Sequence, residues 1–136
     1  MKLTPQLSFN GQCRQAFEFY TACLGGRVTF LLTWGDSPMA GDVPASMHDK
    51  VCHATFQLVE DSFGGSDCQP VQYEKPQGIT LTLNPATVEE AETVFAALGD
   101  GGTVQMPLQT TFWASRFGMV TDKFGIPWVV NCEQMP

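Results

Sequence analysis

The 136-residue sequence predicts an α+β fold of two tandem βαβββ modules, and three repeated features predict it. Two amphipathic helical stripes share one spacing: Cys13, Ala16, Phe17 and Tyr20 answer Ala91, Val94, Phe95 and Leu98 at a shift of 78. Each stripe is followed by Gly-Gly and an alternating strand, with Val28, Phe30 and Leu32 answering Val104, Met106 and Leu108 at a shift of 76. Each is preceded by a strand ending in Asn, Leu7–Asn10 and Leu81–Asn84, at a shift of 74. Self-similarity of this kind marks a duplicated supersecondary unit.

The elements follow in order. After Asn10-Gly11, apolar residues at helical offsets run to Leu24 and stop at Gly25-Gly26, a suitable helix end. Between Gly35 and Lys50 the chain is rich in Pro, Gly, Asp and Ser, which predicts a mobile loop. Val51 to Val59 alternates Cys52, Ala54, Phe56 and Leu58 with His53, Thr55 and Gln57, the pattern of a half-buried strand. Glu60-Asp61 then turns toward a short segment around Ser62-Phe63. In the second half, Thr87 caps a helix in an S/T-x-x-E box with Glu90, and the helix ends before Gly101-Gly102. Phe117 to Thr121, the turn Asp122-Lys123-Phe124-Gly125 and Trp128 to Cys132 complete the second module. The modules span about 1–70 and 77–136 of a single domain covering 1–136.

Composition narrows the function. Seven basic against fourteen acidic residues give a net charge of −7 without any Lys/Arg cluster, so neither nucleic acid nor an anionic membrane surface is an expected partner. No apolar run reaches the roughly 20 residues that span a bilayer. The opening Met1-Lys2-Leu3-Thr4-Pro5-Gln6 does not resemble a secretory h-region, so a cytoplasmic location is expected. Cys13, Cys23, Cys52, Cys68 and Cys132 form no C-x-x-C pair and are expected to be reduced, mostly as small core residues.

A strand packed on a helix turns its other face to water or into a cavity. That face carries Ser8, His53, Thr55, Gln57, Thr80 and Thr82, uncharged groups from both halves. Two such sheets curving together would enclose a small-molecule pocket lined by hydroxyls, amides and an imidazole. The plain alternative is a solvated sheet face, but such faces usually carry Lys and Glu, which are absent here.

Several stretches carry a family resemblance: Leu7–Cys13, Ala16–Tyr20, Leu24-Gly25-Gly26, His53-Ala54, Ser66-Asp67, Gly102–Leu108, and above all Thr111–Gly118 and Asp122–Asn131. With these the chain resembles the vicinal oxygen chelate (glyoxalase/bleomycin-resistance) superfamily. More closely, it resembles the PhnB-like branch, labelled 3-demethylubiquinone 3-methyltransferase-like. The resemblance implies half-barrel sheets from paired modules and a homodimer. In metal-dependent relatives four ligands sit on the inner face, from the opening and closing strands of each module. Here the corresponding positions fall near Gly78, on Val129, and among Thr4, Pro5 and Gln6, while the segment Ser62 to Asp67 offers at best Asp67. No catalytic metal is therefore expected. No cofactor is expected either: nucleotide-type cofactors dock on Gly-rich strand-to-helix turns, whereas these glycine pairs follow helices, which argues against S-adenosylmethionine.

Among single residues, His53 is the candidate general acid/base, with a hydrogen-bonded structural imidazole as the alternative. Phe112-Trp113, before Arg116, is read as an aromatic pocket wall, a dimer contact or core; Trp34 occupies the equivalent place in the first half. Asn131 is placed to orient a ligand carbonyl, Glu133 is expected to be exposed, and Tyr20 to sit in the core with its hydroxyl at the rim. Three functions follow: a PhnB-like protein binding a small molecule in a metal-poor cavity, a glyoxalase- or dioxygenase-type metalloenzyme, or a drug-sequestering resistance protein. No Ser-His-Asp or Cys-His signature supports nucleophilic catalysis.

Overall fold

The computed structural model describes residues 1–134, and the chain divides into two compact units, residues 1–74 and 75–136. In the first, β1 (Gln6–Phe9), α1 (Cys13–Leu24), β2 (Arg27–Thr33), β3 (Val51–Leu58) and β4 (Asp61–Asp67) build a four-stranded sheet of order β1-β4-β3-β2. In the second, β5 (Leu81–Leu83), α2 (Val88–Gly99), β6 (Thr103–Gln109), β7 (Arg116–Thr121) and β8 (Pro127–Cys132) build a sheet of order β5-β8-β7-β6. The first strand of each unit pairs parallel with the last, and the other pairings are antiparallel. Each unit is thus a βαβββ module, the α+β arrangement the repeat predicts. No helix among the described residues is long and apolar enough to cross a membrane.

The helices follow from local chemistry. In α1, Cys13, Ala16, Phe17 and Tyr20 form the buried stripe, and Gly25 ends the helix at φ 78°, a conformation that costs glycine little. In α2, Thr87 Oγ1 accepts the Glu90 N–H at 3.1 Å, which satisfies one of the orphan donors of the first turn. Ala91, Phe95 and Leu98 are buried, while Val94 is half-buried. Phe17 packs edge-on against Phe9, Phe56 and Phe63, with ring centroids 5.6–6.1 Å apart, forming the first core. Tyr20 joins it with no exposed surface, so its hydroxyl lies inside and not at a rim.

Two buried carboxylates tie the units internally. Asp67, at the end of β4, accepts the Cys13 N–H at 2.9 Å and the Val51 N–H at 2.8 Å. Asp122, in the β7–β8 turn, accepts the Phe124 and Ile126 N–H groups at 2.8 and 3.1 Å and the Trp128 indole N–H at 2.8 Å. Charge-assisted bonds to otherwise unpaired backbone donors are among the stronger polar contacts in a fold.

Four expectations are corrected. Val28, Phe30 and Leu32 do not share a face: Val28 lies opposite Phe56, but an irregularity in the β2–β3 register puts Phe30 opposite Thr55 and Leu32 opposite His53. The same break in β6 leaves Val104 opposite Val120 while Met106 meets Met119. A bulge adds a residue and reverses the side-chain alternation beyond it. β4 is a seven-residue strand, not a short segment around Ser62-Phe63. Segment 35–50 is ordered: Gly35 N–H donates to His48 O, Met47 is 5% exposed, and His48 Nε2 contacts Ala40 O at 2.8 Å. Of the five free cysteines only Cys13 and Cys132 are buried.

Candidate functional site

In the first unit the sheet face turned away from α1 carries the predicted polar set. Pairing of Ser8 with Ser66, Thr55 with Gly64 and Gln57 with Ser62 places these residues on one face. His53 belongs to it: an added Cβ on Gly64 would lie 3.0 Å from its Cε1 and collide with the Gln6 amide. Glycine at 64 therefore makes room for an imidazole and an amide side by side. His53 Nε2 sits 3.4 Å from Thr55 Oγ1, and the Phe30 ring lies 5.9 Å from the imidazole, centroid to centroid. Gln57 turns aside, its Nε2 donating to Val59 O at 3.0 Å. Apart from Arg27, which lies opposite Gln57 on the neighbouring strand, the face carries no full charge, and an aromatic ring and an imidazole sit beside each other on it.

The second unit differs. Thr82 is exposed opposite Val129, and Thr80 is exposed just before β5. The rest of that face is mixed, with Met119 opposite Val129, Phe117 between Asn131 and Gln109, and Thr121 opposite Thr103. Asn131 Nδ2 approaches Asn84 Oδ1 at 3.5 Å and Glu133 Oε1 at 3.4 Å, while its Oδ1 is buried without a partner among the described residues. Glu133 is exposed, as expected.

The second unit also holds a cavity of about 700 Å³, within the usual range for small-molecule sites. It is built on the turn between β6 and β7. Thr111 N–H donates to Ala114 O at 3.0 Å and Ala114 N–H donates to Thr111 Oγ1 at 3.1 Å, which closes a tight loop with Phe112 and Trp113 at its tip. Phe112 is 97% and Trp113 47% exposed, and Trp113 packs edge-on between Phe112 and Phe117 at 4.6 and 5.1 Å. Arg116 and the start of α2 at Val88 complete the lining, with Gln134 Oε1 accepting the Val88 N–H at 2.7 Å. Of the predicted site residues only Phe112 and Trp113 line this cavity. Trp34 instead braces its own unit, its indole N–H donating to Asp67 O at 3.0 Å. Arg116 escapes a reading by motif; its signal was a lone cation beside an aromatic pair in a chain with seven basic residues.

The residues present do not fit a metal quartet. Both Asp67 oxygens are taken by backbone N–H groups, Val129 is apolar, and Gly78 has no side chain. Among the described residues no group of three or more His, Cys, Asp and Glu side chains could hold an ion. A nucleotide-type cofactor fares no better at the helix starts, where Asp67 accepts the first N–H of α1 and Gln134 and Thr87 accept those of Val88 and Glu90. Burial, with the nearby Asp67 charge adding to it, pushes the Cys13 thiol up to about 12, so it is no nucleophile.

Residues 1–131 match the family model described as 3-demethylubiquinone-9 3-methyltransferase. The chain belongs to this family. It is 35% identical over 145 residues to Protein YjdN of Escherichia coli (strain K12), covering 100% of this chain and 99% of that one. Protein PA1353 from Pseudomonas aeruginosa is 46% identical, with a TM-score of 0.90 over 99% of both chains. The Bacillus cereus structure described as a putative 3-demethylubiquinone-9 3-methyltransferase, PhnB protein, is 27% identical, with a TM-score of 0.80 over 97% of this chain and 99% of that one. FosX, the fosfomycin resistance protein of Listeria monocytogenes, shares the fold alone, at 8% identity and a TM-score of 0.67 over 96% and 90% of the two chains. The PhnB-like family expected from the sequence is thereby shown, and its fold is the one FosX also adopts.

Proposed function

We propose that this family member binds a small organic molecule, in a site that uses no metal ion. The observation that carries the reading is the cavity of about 700 Å³ in the second unit, walled by a pre-formed loop that presents two aromatic rings. Large exposed aromatics on a rigid turn are uncommon unless they meet something. In the first unit, His53, Thr55 and Ser8 share one sheet face, with His53 beside Phe30 as the candidate proton-transfer group of that unit. We read the protein as a cytoplasmic homodimer forming one domain per chain. Its free cysteines suit a reducing compartment.

A thermal-shift screen of metals and metabolites tests this, because a ligand that binds the folded state raises the melting temperature. A confirmed ligand is expected to lose its shift in Trp113→Ala, and His53→Ala separates a role for the first unit. If neither substitution changes the binding of a confirmed ligand, the site assignment is wrong. Recovery of that ligand unchanged after long incubation marks sequestration, as in a resistance protein; a new product marks an enzyme.

A further inference from the structure

The chemistry of the ligand can be read from Arg116, given the cavity proposed above. Its guanidinium is held at two nitrogens. Nε donates to Glu92 Oε1 at 3.3 Å, and Nη1 donates to Thr110 Oγ1 at 3.1 Å and to the Ser115 carbonyl at 2.7 Å. Nη2 has no partner among the described residues, and the side chain is 32% exposed. A planar fork fixed in this way holds its remaining N–H pair in a set direction, so little freedom is lost when an oxygen acceptor meets it. The Ser115 hydroxyl, in a cavity-lining residue only 8% exposed, also lacks a partner among the described residues. The same cavity is lined by the aromatic pair Trp113 and Phe112.

The charge nearby limits what the fork can take. Glu92 offsets part of the Arg116 charge, and Glu89 and Glu90 occupy the first turn of α2, whose Val88 lines the cavity. A polyphosphate would meet three carboxylates for one guanidinium. A single oxyanion would meet the open side of Nη2. We infer that the cavity takes an aromatic or similarly flat apolar molecule bearing one carboxylate-type oxyanion, the oxyanion on Arg116 Nη2 and the ring against Trp113. This rests on the proposed binding role and adds to it the class of ligand.

The test uses 2-naphthoate and its neutral amide, 2-naphthamide, with the full chain, by calorimetric titration and by the Trp113 indole resonance assigned with Trp113→Phe. The expected result is saturable naphthoate binding that shifts that resonance, with the amide weaker by about tenfold, as a charge-assisted bond commonly is. Arg116→Gln should remove the difference between the two probes, and Arg116→Lys should restore it only in part, since an ammonium lacks the fork. Equal binding of the two probes to the natural chain overturns the ligand class while leaving the binding cavity in place. Failure of both probes to move the Trp113 resonance at millimolar concentration overturns the cavity itself. Should Arg116→Gln fail to fold, the comparison of the two probes on the natural chain still decides.

Discussion

Replacing Asp67 tests the internal logic of the first unit. Its carboxylate accepts two N–H groups, one opening α1 and one opening β3, at 2.9 and 2.8 Å, in a residue 2% exposed. Asp67→Ala leaves both donors buried without an acceptor, at about 1–3 kcal/mol each. Relief of the carboxylate's own desolvation offsets part of this, so a net loss of about 3 kcal/mol is expected. For a chain of this size that lowers the melting temperature by roughly 10 °C. Asp67→Asn is the sharper variant. Its amide oxygen can accept from one donor, but its NH₂ then faces the other, so a loss of about 2 kcal/mol or more is expected despite the preserved shape. Urea unfolding followed by circular dichroism measures both, with an unchanged m-value showing that the same surface unfolds. Asn within about 0.5 kcal/mol of the natural chain would refute the two-donor account. Because these oxygens are committed to the backbone, added zinc should not alter the stability of the natural protein.

Two further outcomes follow from packing. Gly26→Ala and Gly102→Ala should each destabilise strongly, because a Cβ at 26 would lie 2.5 Å from Gln57 O and from the Phe56 ring, and one at 102 would collide with Thr121 O. Thermal melts check this, and a near-neutral result at either position would show that the helix-to-strand junction yields. The Cys13 thiol, raised from 9.0 to about 12, stays protonated in the fold while the unfolded chain releases its proton above about pH 9. Its contribution is therefore complete below pH 9 and fades as the pH rises toward 12, by about 1.4 kcal/mol per unit. Cys13→Ala should flatten this part of the stability profile relative to the natural chain, and parallel profiles would refute it. The Asp67 bond survives the substitution because Cys13 contributes its backbone N–H.

The helices, their caps and the duplication were legible in the sequence because each is written in residues close together along the chain. Thr87 and Glu90 are three apart, and the stripe from Cys13 to Tyr20 spans two turns. The alternation of β3 was legible for the same reason. Strand β4 was not. Its Asp61–Asp67 run contains Gly64 and Gly65, poor strand formers chosen by neighbours remote in sequence. A Cβ on Gly65 would lie 2.6 Å from the Phe17 ring, and one on Gly64 would crowd His53 and Gln6.

The same distinction runs through the site. His53, Thr55 and Ser8 could be assigned to one face by counting in twos, and Phe112-Trp113 could be seen as unusual aromatics in a turn. The faces of Phe30 and Met106 could not, because a bulge is a property of two paired strands and reverses the count along one of them. Nor could the role of Arg116, whose two engaged nitrogens meet Glu92 on α2 and Thr110 beyond β6. The sequence by itself determined the periodic, local features: two βαβββ units, their helix ends and the polar alternation of β3. Tertiary structure alone decided register, glycine placement and the half-satisfied guanidinium, because each depends on atoms that only folding brings within a few ångströms.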